Sequence, residues 1–293
     1  MKKIIHKLND FLFLENDSYN WITFFRVAVG FLLALHFISI LPDFDKLYST
    51  KGIIPSDILD VFIPSNVITL PKIIHYLDNF GIVEERTIVV FKVLYIAFSI
   101  FIAVGFIPRT SALFLLFLQI SLTKGSYFYT YGVDFFSSMS LFYLIMIPSH
   151  YEFSVYTLFK CKIKTISITA YRRLFQIHLC LAYFFSGFDK ILGFNWWNGE
   201  SIWKAINLPF ANKDFNFNFG FLAHFPASLV LIGWATIIIE MFYPLFIWMP
   251  QTRKLWLYLT ISMHIGIALT LNLYFFASIM IIWNFTNFYS FDK

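Results

Sequence analysis

Eight long apolar runs dominate this sequence and restrict what it can fold into. Each run holds about 20 residues or somewhat fewer, which is the length of an α-helix that crosses the hydrocarbon core of a membrane. The runs occupy residues 20–41, 88–107, 109–125, 132–149, 171–193, 224–249, 255–271 and 273–289. We therefore expect an all-α, polytopic integral membrane bundle of about eight transmembrane helices. Asn272 is the only polar break between the last two runs, which could instead form one long broken helix.

The residue composition supports a membrane protein. Hydrophobic residues make up 59% of the 293 and charged residues 13%, whereas about one quarter of a soluble domain is charged. The net charge of +5 does not indicate nucleic-acid binding, because the basic residues lie between apolar runs and form no single patch. Cys161 and Cys180 do not form the pattern of a disulfide framework or a thiolate metal site. We expect one domain, residues 1–293, in the cell (inner) membrane.

The positions of lysine and arginine predict the orientation of the helices. If the N-terminus lies inside, every short loop rich in these residues falls on the inner side, as the positive-inside rule requires. The long connections 42–87 and 194–223 then lie outside. Their broken apolar patterns predict interfacial helices over the outer face and, for 194–223, an apolar lid. The basic, amphipathic N-terminus predicts one more interfacial helix.

The outer end of the fifth run carries a lysine where a membrane segment should carry none. Lys190 follows the small residues Ser186 and Gly187, which would let a neighbouring backbone or a flat ligand approach closely. An unpaired ammonium group is destabilising at membrane depth, so Lys190 is a candidate functional residue. Alternatively, its side chain extends to the outer headgroups, because it lies near the end of the run.

Glu240 and His264 lie on consecutive runs joined by a tight turn at residues 250–254. Position 252 is midway between them, so antiparallel helices would place both side chains at one depth, roughly 15 Å from the turn. We expect the carboxylate and the imidazole to hydrogen-bond each other, because either alone would be destabilising there. The pair could be a structural contact between helices, or it could handle protons or anchor a ligand.

Four further polar residues within the runs have simpler interpretations. Asp134 is the nearest outer-level partner for Lys190, or it is the carboxylate favoured at the N-terminus of its own helix. Arg26 is expected to reach the inner headgroups. His36 and His178 are expected to be satisfied core groups. The histidines lack the spacing of a metal site, so no metal is expected.

The residues around Lys190 form a spaced pattern of aromatic, small and basic side chains. The pattern consists of Tyr183, Ser186, Gly187, Lys190, Gly193, Trp197 and Gly199. It resembles a motif of the HTTM superfamily, the membrane domain of vitamin K-dependent gamma-carboxylase-like proteins. Further blocks at residues 25–30, 131–134, 240–244 and 264–266 resemble the same family in the same order. The likeness covers nearly the whole chain.

The resemblance implies a reaction and a cofactor. The matching lysine of the carboxylase is held to deprotonate reduced vitamin K, which implies that Lys190 is the base for a reduced menaquinone or vitamin K-like quinone. Oxygen would add to the hydroquinone anion, and the strong base so formed would take a proton from a glutamate before CO₂ adds. Glu240 and His264 would shape the pocket. The expected ligand-binding residues are Tyr183, Ser186, Gly187, Trp197 and Asp134.

A fourth candidate catalytic residue follows from the same resemblance. His150 lies in a segment similar to one that contains a functionally implicated histidine in the carboxylase. The predicted topology places His150 on the inner side, opposite Lys190, so the topology and this assignment exclude each other.

The resemblance leaves two functions open. The first is a quinol-dependent enzyme of the epoxidase or carboxylase type. The carboxylase has a large lumenal C-terminal region that helps to bind its protein substrate, whereas this sequence ends at Lys293, so carboxylation of a docked protein is not expected. The second function resembles a compact bacterial branch that helps to mature a sporulation-delaying peptide toxin. It is a non-enzymatic accessory role, with a small partner protein, in the maturation or export of a secreted peptide.

Overall fold

The computed structural model describes residues 2–14, 19–64, 66–126, 128–148, 154–155 and 168–290. The secondary structure of these ranges is helical and contains no β-strand, which confirms the all-α prediction. The chain divides into two compact units. One unit is Tyr19–Ile166, and the other combines Met1–Ser18 with Ser167–Lys293. His150, a candidate catalytic residue, and Cys161 lie outside the described residues.

The described α-helices fall into a long and a short class. In chain order they are α1 (Lys2–Phe13), α2 (Asn20–Ile40), α3 (Phe44–Tyr48), α4 (Ser56–Phe62), α5 (Leu70–Asp78), α6 (Glu84–Val104), α7 (Pro108–Gly125), α8 (Gly132–Met146), α9 (Thr169–Leu192), α10 (Phe194–Trp197), α11 (Glu200–Ile206), α12 (Pro226–Met241), α13 (Tyr243–Phe246), α14 (Arg253–Leu271) and α15 (Tyr274–Phe288). Two short 3₁₀ helices occupy Leu41–Asp43 and Gly220–His224.

Each of the eight apolar runs overlaps a long helix, namely α2, α6, α7, α8, α9, α12, α14 or α15. Within the described ranges, three stretches are long and apolar enough to cross a membrane: Asn20–Tyr48, Glu84–Val104 and Arg253–Leu271. Two shorter helices, α8 and α12, are also apolar. These helices indicate a lipid bilayer environment. The number of crossings and their orientation stay predictions.

In the unit Tyr19–Ile166, α6 packs against both α2 and α7, and α7 packs against α8. Helices α2 and α6 approach closely at Gly30, where an added Cβ would lie 2.6 Å from the backbone nitrogen of Ala103. Residues 42–87 contain three short helices, α3, α4 and α5, as predicted for this segment. Their position relative to a membrane surface stays a prediction.

The prediction that Arg26 reaches the inner headgroups is wrong. Its side chain is fully buried, and Nη1 donates hydrogen bonds of 2.7 Å to the carbonyl oxygens of Ile102 and Ala103. These carbonyls belong to the last turn of α6, where the helix supplies no N–H partner. A cation is also favoured by the helix dipole at this end. Arg26 therefore caps α6 inside the protein.

In the other unit, α9 packs against α12, α13 and α15, and α14 packs against α15. Helix α12 ends at Met241, earlier than the apolar run 224–249 suggested, and the chain continues as the short helix α13. Pro244 explains this end, because a proline ring clashes with the carbonyl four residues earlier, here that of Glu240. Asn272 has a left-handed backbone (φ 55°), so α14 and α15 are two separate helices.

The apolar connection 194–223 begins with α10 and α11, which pack against α12. Beyond them, the phenylalanines of this segment are largely exposed. They include Phe210, Phe215, Phe217 and Phe221. A function of the segment as a lid stays a prediction. The N-terminal helix α1 is present as expected, and Phe11 near its end lies under the Arg173 guanidinium of α9 at 4.8 Å.

Candidate functional site

Lys190 forms an ion pair inside the unit that contains α9 and α12. Its Nζ lies 2.6 Å from Oε2 of Glu240 and donates a 2.7 Å hydrogen bond to Oγ of Ser186. The side chains of Lys190 and Glu240 are only 18% and 8% exposed. The lysine side chain runs back along α9 toward the preceding turn, the usual direction for helical side chains. It therefore does not extend outward from the end of α9.

The partners predicted from the sequence differ from the observed ones. Lys190 pairs with Glu240 instead of Asp134, and Glu240 contacts Lys190 instead of His264. The prediction assumed one unbroken helix from 224 to 249, whereas α12 ends at Met241 and places Glu240 in its last turn.

The chain beyond α9 explains why Lys190 reaches the far end of α12. After Leu192 the chain continues alongside the first half of α12, where the carbonyl of Trp196 packs against Gly233. Gly199 likewise packs against Leu229, further toward the start of α12. Lys190 precedes these contacts and so lies at the level of the last turn of α12.

Gly187 allows α9 and α12 to meet at this level. A Cβ added at Gly187 would lie 2.6 Å from the backbone nitrogen of Met241, a distance that real Cβ atoms do not show. We expected Gly187 to let a neighbouring backbone approach closely, and the backbone of α12 does so. Because Met241 follows Glu240 directly, this contact brings the carboxylate within reach of Lys190.

A second polar cluster lies two helical turns before Lys190. The Tyr183 hydroxyl is 2.7 Å from Nε2 of His264, and Nδ2 of Asn284 donates a 2.6 Å hydrogen bond to the same hydroxyl. Oδ1 of Asn284 accepts a 2.7 Å hydrogen bond from the hydroxyl of Tyr243. All four side chains are buried. They join α9, α13, α14 and α15 through a continuous hydrogen-bonded chain.

One atom of this cluster has no hydrogen-bond partner among the described residues. It is Nδ1 of His264, a buried atom in a residue that is only 3% exposed. The ring of Phe276 packs edge-on against the imidazole at a centroid distance of 5.9 Å. Nδ1 is therefore a buried polar atom on an imidazole that packs against an aromatic ring.

The two clusters lie on one face of α9. Tyr183, Ser186, Gly187 and Lys190 are spaced by three and four residues, which places them on the same side of a helix. Tyr183 and Lys190 are about 10 Å apart along the axis.

The remaining predicted site residues lie elsewhere. Trp197 is partly exposed, donates from Nε1 to the carbonyl of Ile191 at 2.8 Å, and packs its ring 5.6 Å from that of Trp234. The structure does not bring Trp197 into hydrogen-bonding contact with either cluster. Among the described residues, no group of three or more His, Cys, Asp or Glu side chains is placed to hold a metal ion.

Asp134 belongs to the unit Tyr19–Ile166 and stabilises the start of α8. Its carboxylate accepts a 3.0 Å hydrogen bond from the backbone N–H of Tyr131 and a 3.4 Å hydrogen bond from Nε2 of Gln119. Burial, followed by the charge of Asp134, raises the pKa of Tyr131 to about 12. Gln119 also accepts a very short hydrogen bond from the Tyr95 hydroxyl. The interpretation of Asp134 as an N-terminal carboxylate is therefore confirmed.

Asn284 and Gln119 were missed by the sequence analysis. Each is an amide within an apolar run, so the rule that singled out Lys190 would also have found them. Comparison with protein-family profiles, with curated proteins and with solved structures finds no match for this chain.

Proposed function

We propose that this protein is a multi-pass membrane enzyme in which Lys190 and Glu240 together take a proton from a lipid-soluble hydroquinone. The observation that carries the proposal is the contact of 2.6 Å between Lys190 Nζ and Glu240 Oε2, with Ser186 as a further partner. The resemblance of the Lys190 segment to the HTTM motif supports a reduced menaquinone or vitamin K-like quinone as the substrate. Eight crossings with the N-terminus inside the cell membrane belong to the same proposal.

The number of protons that the Lys190–Glu240 pair can hold explains why a paired lysine can act as a base. An ammonium beside a carboxylate has no net charge, which is the arrangement that an apolar environment tolerates best. The same two groups can hold one more proton, as an ammonium beside a carboxylic acid. Proton transfer from the hydroquinone thus creates a cationic pair next to the new anion, and their attraction is strong where water is excluded.

Either atom of the pair can receive the proton. When Lys190 is charged, the free acceptor is the carboxylate of Glu240. When the shared proton lies on Glu240, the acceptor is the neutral amine of Lys190. Ser186 holds Nζ in place in both arrangements through its hydroxyl oxygen. The base is therefore the pair, and both side chains are required.

The surroundings of the pair suit a flat aromatic substrate. The ring of Trp196 lies 5.2 Å from Nζ of Lys190, which is within the range of a cation–π contact. An indole ring packs well against a naphthoquinone ring.

The overall reaction balances with molecular oxygen as the co-reactant. One hydroquinone and one O₂ give one quinone epoxide and one water molecule. The two hydroxyl hydrogens of the hydroquinone leave in the water with one oxygen atom, and the other oxygen atom bridges the ring carbons. Deprotonation at the Lys190–Glu240 pair starts this sequence, because oxygen adds to the electron-rich anion more readily than to the neutral hydroquinone.

The experiment compares two ion-paired lysines. Lys92 is a matched control, since its Nζ lies 2.9 Å from Asp45 and its side chain is 21% exposed. Oxygen uptake is measured on adding a short-chain menaquinol to proteoliposomes that contain the wild-type protein, Lys190→Met or Lys92→Met. We expect uptake above the protein-free rate for the wild type and Lys92→Met, and none for Lys190→Met. Absence of uptake in folded wild-type protein would refute the proposal and favour the accessory role.

A further inference from the structure

We propose that His264 is a second anchor for the quinone, with Nδ1–H donating a hydrogen bond to the ring oxygen remote from Lys190. The inference rests on the proposed function for the class of ligand. The geometric basis is independent of that function. It consists of the hydrogen-bonded chain from Tyr243 to His264 and the unpartnered nitrogen at its end.

The carbonyl of Met280 fixes the direction of the chain. Nδ2 of Asn284 lies 2.8 Å from this carbonyl oxygen, which can only accept a hydrogen bond. The amide nitrogen must therefore face Met280, and the amide oxygen faces the hydroxyl of Tyr243, which donates to it. If the amide were reversed, the side-chain oxygen of Asn284 would face the carbonyl oxygen of Met280, and neither atom can donate a hydrogen. Asn284 therefore donates from the same nitrogen to the hydroxyl oxygen of Tyr183.

The direction at Asn284 sets the tautomer of His264. Because the Tyr183 oxygen accepts from Asn284, its single hydrogen is available for Nε2 of His264 at 2.7 Å. Nε2 then accepts, and a neutral imidazole must carry its hydrogen on the other ring nitrogen. If Nε2 donated instead, the Tyr183 hydrogen would have no acceptor in the cluster. Nδ1 is thus a hydrogen-bond donor whose direction is fixed by three residues.

The donor has no acceptor in the described protein. Nδ1 is buried, and His264 as a whole is only 3% exposed. A buried N–H without an acceptor destabilises a folded protein, so it calls for a compensating role. Hydroxyl groups such as that of Thr286 can rotate toward alternative partners, whereas the imidazole is held by Tyr183 and cannot. A ligand oxygen is the acceptor that this fixed donor fits.

The placement of the donor relative to the base selects the ligand. Tyr183, which holds His264, and Lys190 lie on one face of α9 about two turns apart. Lys190 leans back toward Ser186, which shortens the separation between the base and the donor. A para-quinone carries its two oxygens at opposite ends of one flat ring. In the proposed complex, one oxygen meets the base while the other accepts from Nδ1.

Infrared spectroscopy tests the hydrogen bond without turnover. Oxidised menaquinone labelled in its carbonyl groups is added to the purified protein in lipid nanodiscs, and the carbonyl bands are compared with those in empty nanodiscs. We expect one carbonyl band to move to lower frequency. His264→Phe should abolish the shift, whereas His264→Asn should retain it, because the asparagine amide nitrogen replaces Nδ1. His36→Phe, at another buried histidine, is the matched control and should leave the shift unchanged.

A second measurement reads the tautomer directly, with the resonances of His264 assigned from their loss in His264→Phe. Nitrogen NMR of protein with isotope-labelled histidine reports which ring nitrogen of His264 carries the proton. We expect a protonated Nδ1 whose resonance moves when menaquinone is added. A protonated Nε2, an Nδ1 resonance that does not respond, or a carbonyl shift that survives in His264→Phe would overturn the inference. Because the quinone is oxidised, these results are independent of whether Lys190 supports oxygen uptake.

Discussion

Gly187 and Met241 meet so closely that any side chain at position 187 would collide with the backbone of α12. This contact sets the distance at which Lys190 reaches Glu240. It also links the packing of the unit to its chemistry, because a small displacement of α12 would separate the two charges.

Enlarging Gly187 should therefore disrupt both packing and the ion pair. Gly187→Ala is expected to lower the free energy of unfolding by about 1–3 kcal/mol, the usual effect of overpacking. Gly266→Ala is the control, because a Cβ there meets nothing within 4 Å and alanine favours a helix. Thermal unfolding in detergent measures both variants. Equal stability of the two variants would contradict the observed contact.

The charges of Lys190 and Glu240 should compensate each other. Removing one partner leaves a buried charge unpaired, which destabilises proteins by about 3–5 kcal/mol. We expect Lys190→Met and Glu240→Gln each to lose stability on this scale. The double variant should lose less than the sum of the single losses, because no charge remains buried. Additive losses in the same unfolding assay would show that the two groups do not interact.

Arg26 should be required for the stability of the unit Tyr19–Ile166. Replacement by methionine removes two hydrogen bonds from a charged donor to the end of α6, each worth about 1.5–3 kcal/mol. Arg86→Met, at an exposed arginine in the first turn of the same helix, should change the unfolding temperature little. A similar unfolding temperature for both variants would be evidence for the headgroup position that the sequence suggested for Arg26.

Asn272 should tolerate glycine but not a β-branched residue. Its backbone is left-handed, a conformation that costs most L-residues about 1–2 kcal/mol and glycine nothing. Asn272→Gly should unfold at about the wild-type temperature, and Asn272→Val at a lower one. If both variants behaved alike, α14 and α15 would not be separated by a left-handed turn.

The sequence predicted the positions of the helices better than it predicted which polar side chains contact each other. Long apolar runs located α2, α6 and α9, because the length of a run and its lack of charge are local properties. Lys190, Glu240 and His264 stood out for the same reason. The predicted pairing of Glu240 with His264 was wrong because it depended on where Pro244 ends α12, which shifts Glu240 relative to the turn that follows.

Longer-range relationships explain the other differences. Arg26 caps a helix end 76 residues later in the chain, and no local pattern links the two positions. Asn284 was overlooked although an amide in an apolar run is visible in the sequence. Its role in directing the Tyr183–His264 hydrogen bond needed the carbonyl of Met280 as well. The directions of these hydrogen bonds can be read only once the packed positions of the side chains are known.

Isotope-labelled oxygen gas provides the most direct test that Lys190 and Glu240 form a base for a hydroquinone. Proteoliposomes are supplied with menaquinol and labelled O₂, and the quinone products are analysed by mass spectrometry. The wild type and Lys92→Met should form an epoxide that contains one labelled oxygen atom, and Lys190→Met and Glu240→Gln should form none. Equal amounts of labelled epoxide from all four proteins, or no labelled epoxide from folded wild type, would contradict the account.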